Sequence, residues 1–306
     1  MDAFVNLIAL TLAAGTPLAL AALGELVTEK SGVLNLGVEG MMTVGAVAAF
    51  IVAVNTHSPW LGIAAGAAAA AVLALVFAFI VLSLMANQVA TGLALSLFGI
   101  GLASFVGRDY VAKVIDGLPA LHLPVLSDLP IVGALFFSYS PIIYLTLALF
   151  ALTQWVLTRT RAGLIVRAVG ESPPAAHAIG LPVIRVRYLC VLFGGLCSGL
   201  AGAYLAVAYT PLWAEGMIAG RGWIAVALVV FATWKPWRAL AGAYLFGFVT
   251  LAQFQVQAWG TAISPQFLSM LPYLATIVVL TLISRNALTV RLNAPVSLGK
   301  PFHPGD

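Results

Sequence analysis

The sequence predicts an all-α integral membrane protein, a polytopic bundle of about nine (eight to ten) transmembrane helices. Two observations carry this prediction. Of 306 residues, 62% are hydrophobic and only 8% are charged, whereas about a quarter of the residues of a soluble domain carry a charge. So few charges cannot cover a surface that faces water. The apolar segments also run through the chain without a polar linker, which favours one membrane domain over residues 1–291.

Nine apolar stretches approach the roughly 20 residues that a helix needs to cross a bilayer. The first begins beside Asp2 and lacks the basic leader of a secretory signal, so we expect it to be retained. The seventh is short, which is typical of a re-entrant or broken helix. The stretches cover residues 4–23, 34–54, 61–84, 88–106, 140–158, 188–209, 222–234, 239–257 and 271–284.

The placement of Lys and Arg predicts the orientation. With residues 159–187 in the cytoplasm, most of the 14 basic residues fall in cytoplasmic loops, as the positive-inside pattern requires. The N-terminus is then outside and the C-terminus cytoplasmic. Residues 107–139 form an external loop, and 292–306 form a Pro- and Gly-rich tail that we expect to be disordered. The net charge of +4 therefore does not indicate a nucleic-acid partner.

The segment Gly24–Met42, GELVTEKSGVLNLGVEGMM, breaks the apolar pattern. Acidic side chains and Gly-rich backbone are tolerated in a membrane only where protein or water satisfies them. We expect Glu25, Glu29 and Lys30 to lie in a solvated cytoplasmic turn. The polar residues that such a turn does not explain are then those at the start of the second helix, around Glu39.

A second Gly-interrupted segment, Gly220–Ile224, precedes an apolar helix in the other half of the chain, as Gly37–Met42 does in the first half. Such paired segments indicate an internal repeat and a transport pathway at the interface of the two halves.

Several chemistries are excluded by the motifs that the sequence lacks. It contains no phosphate-binding loop, no HExxH and no Cys/His cluster, so we predict no catalytic residue, no metal site and no cofactor bound by this chain. Glu39 is the only acidic or basic residue inside the predicted helices, which counts against a proton- or ion-driven carrier.

The basic segment Gly163–Arg187 is predicted to contain a short helix. Ser172 suits the N-cap, Pro173 and Pro174 suit the first turn, and Gly180 suits the C-terminal end. A helix of two turns is unstable alone and needs a surface to dock against. An ordinary connecting loop is the alternative.

These segments resemble a known family. Residues 171–182, with their Glu, Ala-Ala and Gly-Leu-Pro, are similar to the EAA-type loop of ATP-binding-cassette (ABC) importer permeases. Gly24–Met42 is close to the signature of the simple-sugar and nucleoside branch of the branched-chain amino acid/ribose permease family. Ala86–Gly107 and Gly220–Gly247 are similar to later blocks of that branch. Pro173-Pro174 departs from the family pattern.

The resemblance implies a permease subunit of an ATP-driven importer in the bacterial cytoplasmic membrane. Its expected partners are a second, homologous permease, a cytoplasmic ABC ATPase that binds ATP and Mg²⁺, and an extracytoplasmic substrate-binding protein or lipoprotein. The residues expected to couple the chain to the ATPase are Arg167, Glu171, Ala175, Ala176 and Gly180.

Polar or aromatic groups in apolar surroundings are the candidates for the substrate pathway, since amides pair with base edges or sugar hydroxyls. Each also has a structural alternative: helix cap, cytoplasmic turn or interfacial anchor. The resemblance of the opening segment to the nucleoside and simple-sugar branch implies purine nucleosides as the first expected substrate and simple sugars as the second. The candidates are Asn35, Glu39, Asn87, Gln88, Trp213 and Arg221.

Two other classes compete with the importer. A stand-alone secondary carrier or channel for a small polar solute would need no partner. A membrane-embedded enzyme is poorly supported, because the sequence clusters no catalytic groups.

Overall fold

The computed structural model describes residues 2–121, 137, 139–258, 264–284 and 293–303, and these residues are mostly helical. Single π-helical turns, Phe79–Ser83 and Leu205–Tyr209, extend two of the helices. In chain order the helices are α1 (Asp2–Lys30), α2 (Val38–Thr56), α3 (Pro59–Ala78), α4 (Gln88–Gly107), α5 (Pro141–Arg159), α6 (Arg161–Glu171), α7 (Pro173–Ala178), α8 (Val183–Tyr204), α9 (Arg221–Phe231), α10 (Pro236–Ala258), α11 (Pro265–Ser269) and α12 (Leu271–Ser284).

The all-α polytopic fold is confirmed. Among the described residues, seven helices are long and apolar enough to cross a membrane: α1 to α5, α8 and α10. The seventh and ninth predicted stretches form the shorter helices α9 and α12. At about 1.5 Å per residue, the 11 residues of α9 cover about 16 Å, roughly half of the hydrocarbon thickness. The prediction that this segment is short or broken is therefore correct.

Small residues bring the central helices α1, α2, α3 and α8 into close contact. A Cβ added to Gly24 would lie 2.7 Å from the Cβ of Cys197, and one added to Gly45 would lie 2.7 Å from the Cα of Gly199. A Cβ added to Gly202 would overlap the carbonyl oxygen of Met42. Because lipid tails are as apolar as these side chains, close backbone approach is what favours helix–helix contact in a membrane.

The N-terminal helix differs from the prediction at its end. α1 continues to Lys30, and the chain then folds back along it over residues 31–37. The expectation that Glu25 and Glu29 lie in a solvated turn is wrong, since their side chains are 1% and 0% exposed. They lie inside the bundle because the returning segment and Trp234, in a turn distant in sequence, supply polar partners that the local sequence does not reveal.

The tail also differs from the prediction, because residues 293–303 pack against the end of the bundle that carries α6 and α7. Ser297 donates from its hydroxyl to the carbonyl of Gly170 at 2.6 Å, and Gly299 donates from its backbone to Gly32 at 3.2 Å. Phe302 is buried against Val169 and its neighbours. These contacts attach the segment that was expected to be disordered.

A buried arginine explains why the tail is held. The guanidinium of Arg187, 1% exposed, donates to the carbonyls of Ser31 at 3.1 Å and Lys300 at 3.3 Å and to the hydroxyl of Ser297 at 3.3 Å. A buried cation requires such partners. The tail therefore supplies two of the three groups that satisfy Arg187.

We predict that Ser297→Ala lowers the free energy of unfolding by about 1–3 kcal/mol, because the Nη2 of Arg187 then lacks its acceptor. Thermal unfolding of the purified protein in detergent measures this loss. Val296→Ala is the matched control, since Val296 is 58% exposed in the same segment and should change the midpoint little. Equal effects of the two substitutions would contradict the role given to the tail.

Candidate functional site

The returning segment 31–37 is held by side chains of two helices. The carboxylate of Glu25 accepts from the backbone N–H of Asn35 at 3.0 Å, and the amide oxygen of Gln88 accepts from that of Leu34 at 2.8 Å. Asn35 itself accepts from Gly37 at 2.9 Å, which orders the turn before α2. The N-terminus of α2 is thereby fixed inside the bundle.

Glu39 joins the N-termini of α2 and α9. It lies in the first turn of α2, and its two carboxylate oxygens accept from the backbone N–H groups of Gly220 and Gly222, each at 2.6 Å. Carboxylates near a helix N-terminus satisfy unpaired donors and complement the helix dipole. The two Gly-interrupted segments singled out in the sequence are thus brought into direct contact.

Glycines make this contact possible. A Cβ at Gly222 would lie 2.5 Å from the Cα and backbone nitrogen of Glu39. Gly220, the N-cap of α9, has a φ of +82°, which favours glycine over any residue with a side chain.

The other end of α9 is attached to a second acid. The indole N–H of Trp234 donates to the carboxylate of Glu29, 205 positions away in the chain. Thr233 and Trp234 have φ values of +51° and +52°, so the chain turns sharply after α9. Two acidic side chains of one N-terminal segment therefore hold both ends of the half-length helix.

Four of the six predicted pathway residues are brought towards one another by these contacts. Asn35 and Gln88 hold the segment before α2, and Glu39 joins α2 to α9, as described above. Arg221 is the first residue of α9 and lines a cavity beside α1. Asn35, Glu39 and Gln88 all accept hydrogen bonds from the protein, whereas the Nε2 of Gln88 is buried with no partner among the described residues.

The other two predicted pathway residues lie apart from this group. Asn87 accepts from the backbone of Ala90 and is the N-cap of α4. Trp213 is 2% exposed and packs against Gly107 at the far end of α4. For Asn87 and Trp213 the structure supplies helix-capping and packing roles.

The predicted short helix is present as α7. Ser172 is its N-cap and accepts from the backbone of Ala175, and Gly180 has a φ of +84° just beyond its end. Ala175, like the predicted coupling residues Arg167, Glu171 and Gly180, is exposed.

Ala176 differs from the other predicted coupling residues. It is 2% exposed and packs with Val169, Val183 and Phe302, so it lies outside the exposed face of α7. Ile179 was missed and is 75% exposed. An isolated apolar residue between the short helix and Gly180 was the available signal for it.

Gln253 was also missed by sequence reasoning. It is 7% exposed and lines the same cavity as Arg221. Its signal was the run Gln253, Gln255, Gln257 in an otherwise apolar helix. Among the described residues, no group of three His, Cys, Asp or Glu side chains could hold a metal.

We predict that Gly222→Ala destabilises the protein by about 1–3 kcal/mol, since its methyl group overlaps the backbone of Glu39. Gly101→Ala is the control, because its Cβ meets nothing within 4 Å and alanine favours a helix by up to about 1 kcal/mol. Thermal unfolding distinguishes the two substitutions. If Gly222→Ala is as stable as Gly101→Ala, α2 and α9 do not meet as described.

Comparison with known proteins gives one family and several full-length relatives. The chain is 43% identical to the putative glucose ABC transporter permease protein TsgC13 of Haloferax volcanii, over 99% of each chain. It is 32% identical to the guanosine ABC transporter permease protein NupQ of Bacillus subtilis, over 96% of this chain and 95% of the relative.

A third relative, the nucleoside ABC transporter permease protein NupC of Lactococcus lactis, is 32% identical over 87% of this chain and 88% of its own length. No solved structure matches the chain. Residues 7–280 match the family model described as the branched-chain amino acid transport system/permease component. The chain therefore belongs to this family of permease components and is a multi-pass membrane transport subunit rather than an enzyme.

Proposed function

We propose that the chain is the permease subunit of an ATP-driven ABC importer that moves nucleosides or simple sugars across the bacterial cytoplasmic membrane. The observation that carries this proposal is full-length similarity to permeases whose names specify glucose, guanosine and nucleosides. The proposed partners are a second permease, a cytoplasmic ABC ATPase that binds ATP and Mg²⁺, and an extracytoplasmic binding protein or lipoprotein. The proposed orientation has the N-terminus outside and the C-terminus in the cytoplasm, as the distribution of Lys and Arg favours.

The exposed face of α7 is the proposed contact with the ATPase. α7 presents Ala175 to solvent, and the turn that follows it presents Ile179 and Gly180. The apolar side chain of Ile179 suits a groove on a protein partner. Because α7 has only six residues, its position depends on what it is packed against.

Contacts behind α7 offer a route for movement into the membrane domain. Gly170, at the end of α6, lies against the backbone of Lys30 at the end of α1. Glu29, the preceding residue, holds the turn after α9 through Trp234. Closure of the ATPase would displace α7, and these packed contacts would pass the displacement to α9.

A stand-alone carrier or channel is the second candidate, and one observation favours it. The sequence argument against a proton-driven carrier was that Glu39 alone among the acids lies inside the predicted helices, yet Glu25 and Glu29 are also buried. Against this, each carboxylate already accepts a hydrogen bond from the protein.

Reconstitution in liposomes separates the two candidates. We expect uptake of labelled guanosine or glucose only when ATP, the ATPase, the second permease and the binding protein are all present. Uptake by this chain alone would establish the carrier and contradict the importer.

We predict that Ile179→Asp abolishes stimulation of the ATPase by the assembled membrane subunits and reduces transport at least tenfold, because a carboxylate enters an apolar contact. ATP hydrolysis and co-purification with the ATPase are the measurements. Val296→Asp, a charge placed at another exposed site on the same end, should retain both. Wild-type coupling in the Ile179 variant would refute the assignment of α7.

A further inference from the structure

A cavity of about 270 Å³ lies between α1, α9, α10 and α12. Pro17 of α1 contributes to its wall and is 13 residues from Lys30, so the cavity lies about 20 Å from the end of the bundle that carries α7. The N-terminus of the half-length helix α9 reaches it through Arg221. Broken helices that end beside a cavity within the membrane are typical of transporter binding sites.

Gln253 gives this cavity an unused hydrogen-bonding group. Its side chain is 93% buried and lines the cavity, and it forms no hydrogen bond with any residue that the structure describes. Its amide atoms are not among the buried unpaired atoms of the described residues, so they are accessible from the cavity. Gln253 is therefore positioned to serve a molecule that enters the cavity.

Arg221 gives the cavity a set of hydrogen-bond donors. Its guanidinium makes no hydrogen bond or ion pair within the described part of the chain. The five N–H donors of a guanidinium remain suited to oxygen acceptors.

Aromatic side chains form much of the remaining wall. Tyr209 stacks on Tyr204 with ring centroids 6.3 Å apart, and Phe246 meets Tyr273 edge to face at 6.0 Å. Of these, Tyr209, Phe246 and Tyr273 line the cavity. Aromatic faces cover flat apolar surfaces and stack on bases.

We propose that this cavity is the substrate chamber of the permease and that it takes a neutral ring carrying hydroxyl groups. Gln253 and Arg221 hydrogen-bond the hydroxyls, and the aromatic side chains cover the face of the ring. A free pyranose and the ribose of a nucleoside share this chemistry. The inference rests on the proposed function. It adds where in the chain the substrate binds and which side chains recognise it.

Transport by the complete reconstituted importer tests the proposal, with labelled glucose and labelled guanosine as separate arms. Gln253→Leu should raise the KM for the transported solute about tenfold or more, because a site that loses a hydroxyl partner discriminates strongly. Gln255→Leu, a matched change at an exposed position of the same helix, should leave the KM unchanged. Whichever solute the wild-type importer transports shows whether its substrate is a sugar or a nucleoside.

Two outcomes would overturn the proposal in different ways. If wild type transports either solute and Gln253→Leu behaves like Gln255→Leu, the cavity is not the chamber, while the proposed function stands. If the complete wild-type importer transports neither solute, both the proposed function and this inference fail.

Cysteine labelling keeps the test independent of the folding of the leucine variant. Cys190 and Cys197 are buried, so a maleimide should report on an introduced thiol. In Gln253→Cys the transported solute should slow labelling at least threefold, and in Gln255→Cys it should have no effect. Labelling of Gln253→Cys at the same rate with and without the solute would contradict the proposal.

Discussion

A single carboxylate holds the N-termini of a full-length helix and a half-length helix of this permease together. Glu39 begins α2 and accepts from the two glycine N–H groups that begin α9. In a low-dielectric interior the unpaired donors of a helix N-terminus need an acceptor, and a buried carboxylate needs donors. Here the carboxylate of Glu39 is the acceptor that the start of α9 needs, and the N–H groups of α9 are the donors that the carboxylate needs. The position of α9, and with it that of Arg221, depends on this contact.

The remaining acids of the N-terminal segment extend the same arrangement. Glu25 holds the chain that returns to α2, and Glu29 holds the turn that follows α9. Three acidic residues of one segment thus fix a returning chain and both ends of a half-length helix. Such a helix can move as a unit if its anchors move, which connects the end of the bundle that carries α7 with the cavity beside Arg221.

The sequence predicts the helices and their caps well, because hydropathy and capping are local properties. The shortness of α9, the N-cap Ser172 and the left-handed Gly180 follow from a few neighbouring residues. The burial of Glu25 and Glu29 could not be predicted in this way, since the groups that satisfy them come from a returning segment and from Trp234. The packed tail was missed for the same reason, because Arg187 gives no local sign of its partners.

The candidate site, too, could be predicted from the sequence only in part. The paired glycine segments pointed to the place where α2 and α9 meet, but the acceptor role of Glu39 required the position of residues more than 180 places away. Gln253 looked like one of three glutamines in an apolar helix, and only the packing of four helices places it in a cavity.

Hydrogen exchange of the backbone amides of Gly220 and Gly222 tests the central interaction most directly. The account predicts that both amides are protected in the wild-type protein as strongly as those inside α2, and that Glu39→Gln removes the protection of one of them, since an amide nitrogen replaces one acceptor. Rapid exchange of both amides in the wild-type protein would contradict the account, because α9 would then begin without the carboxylate that is said to hold it.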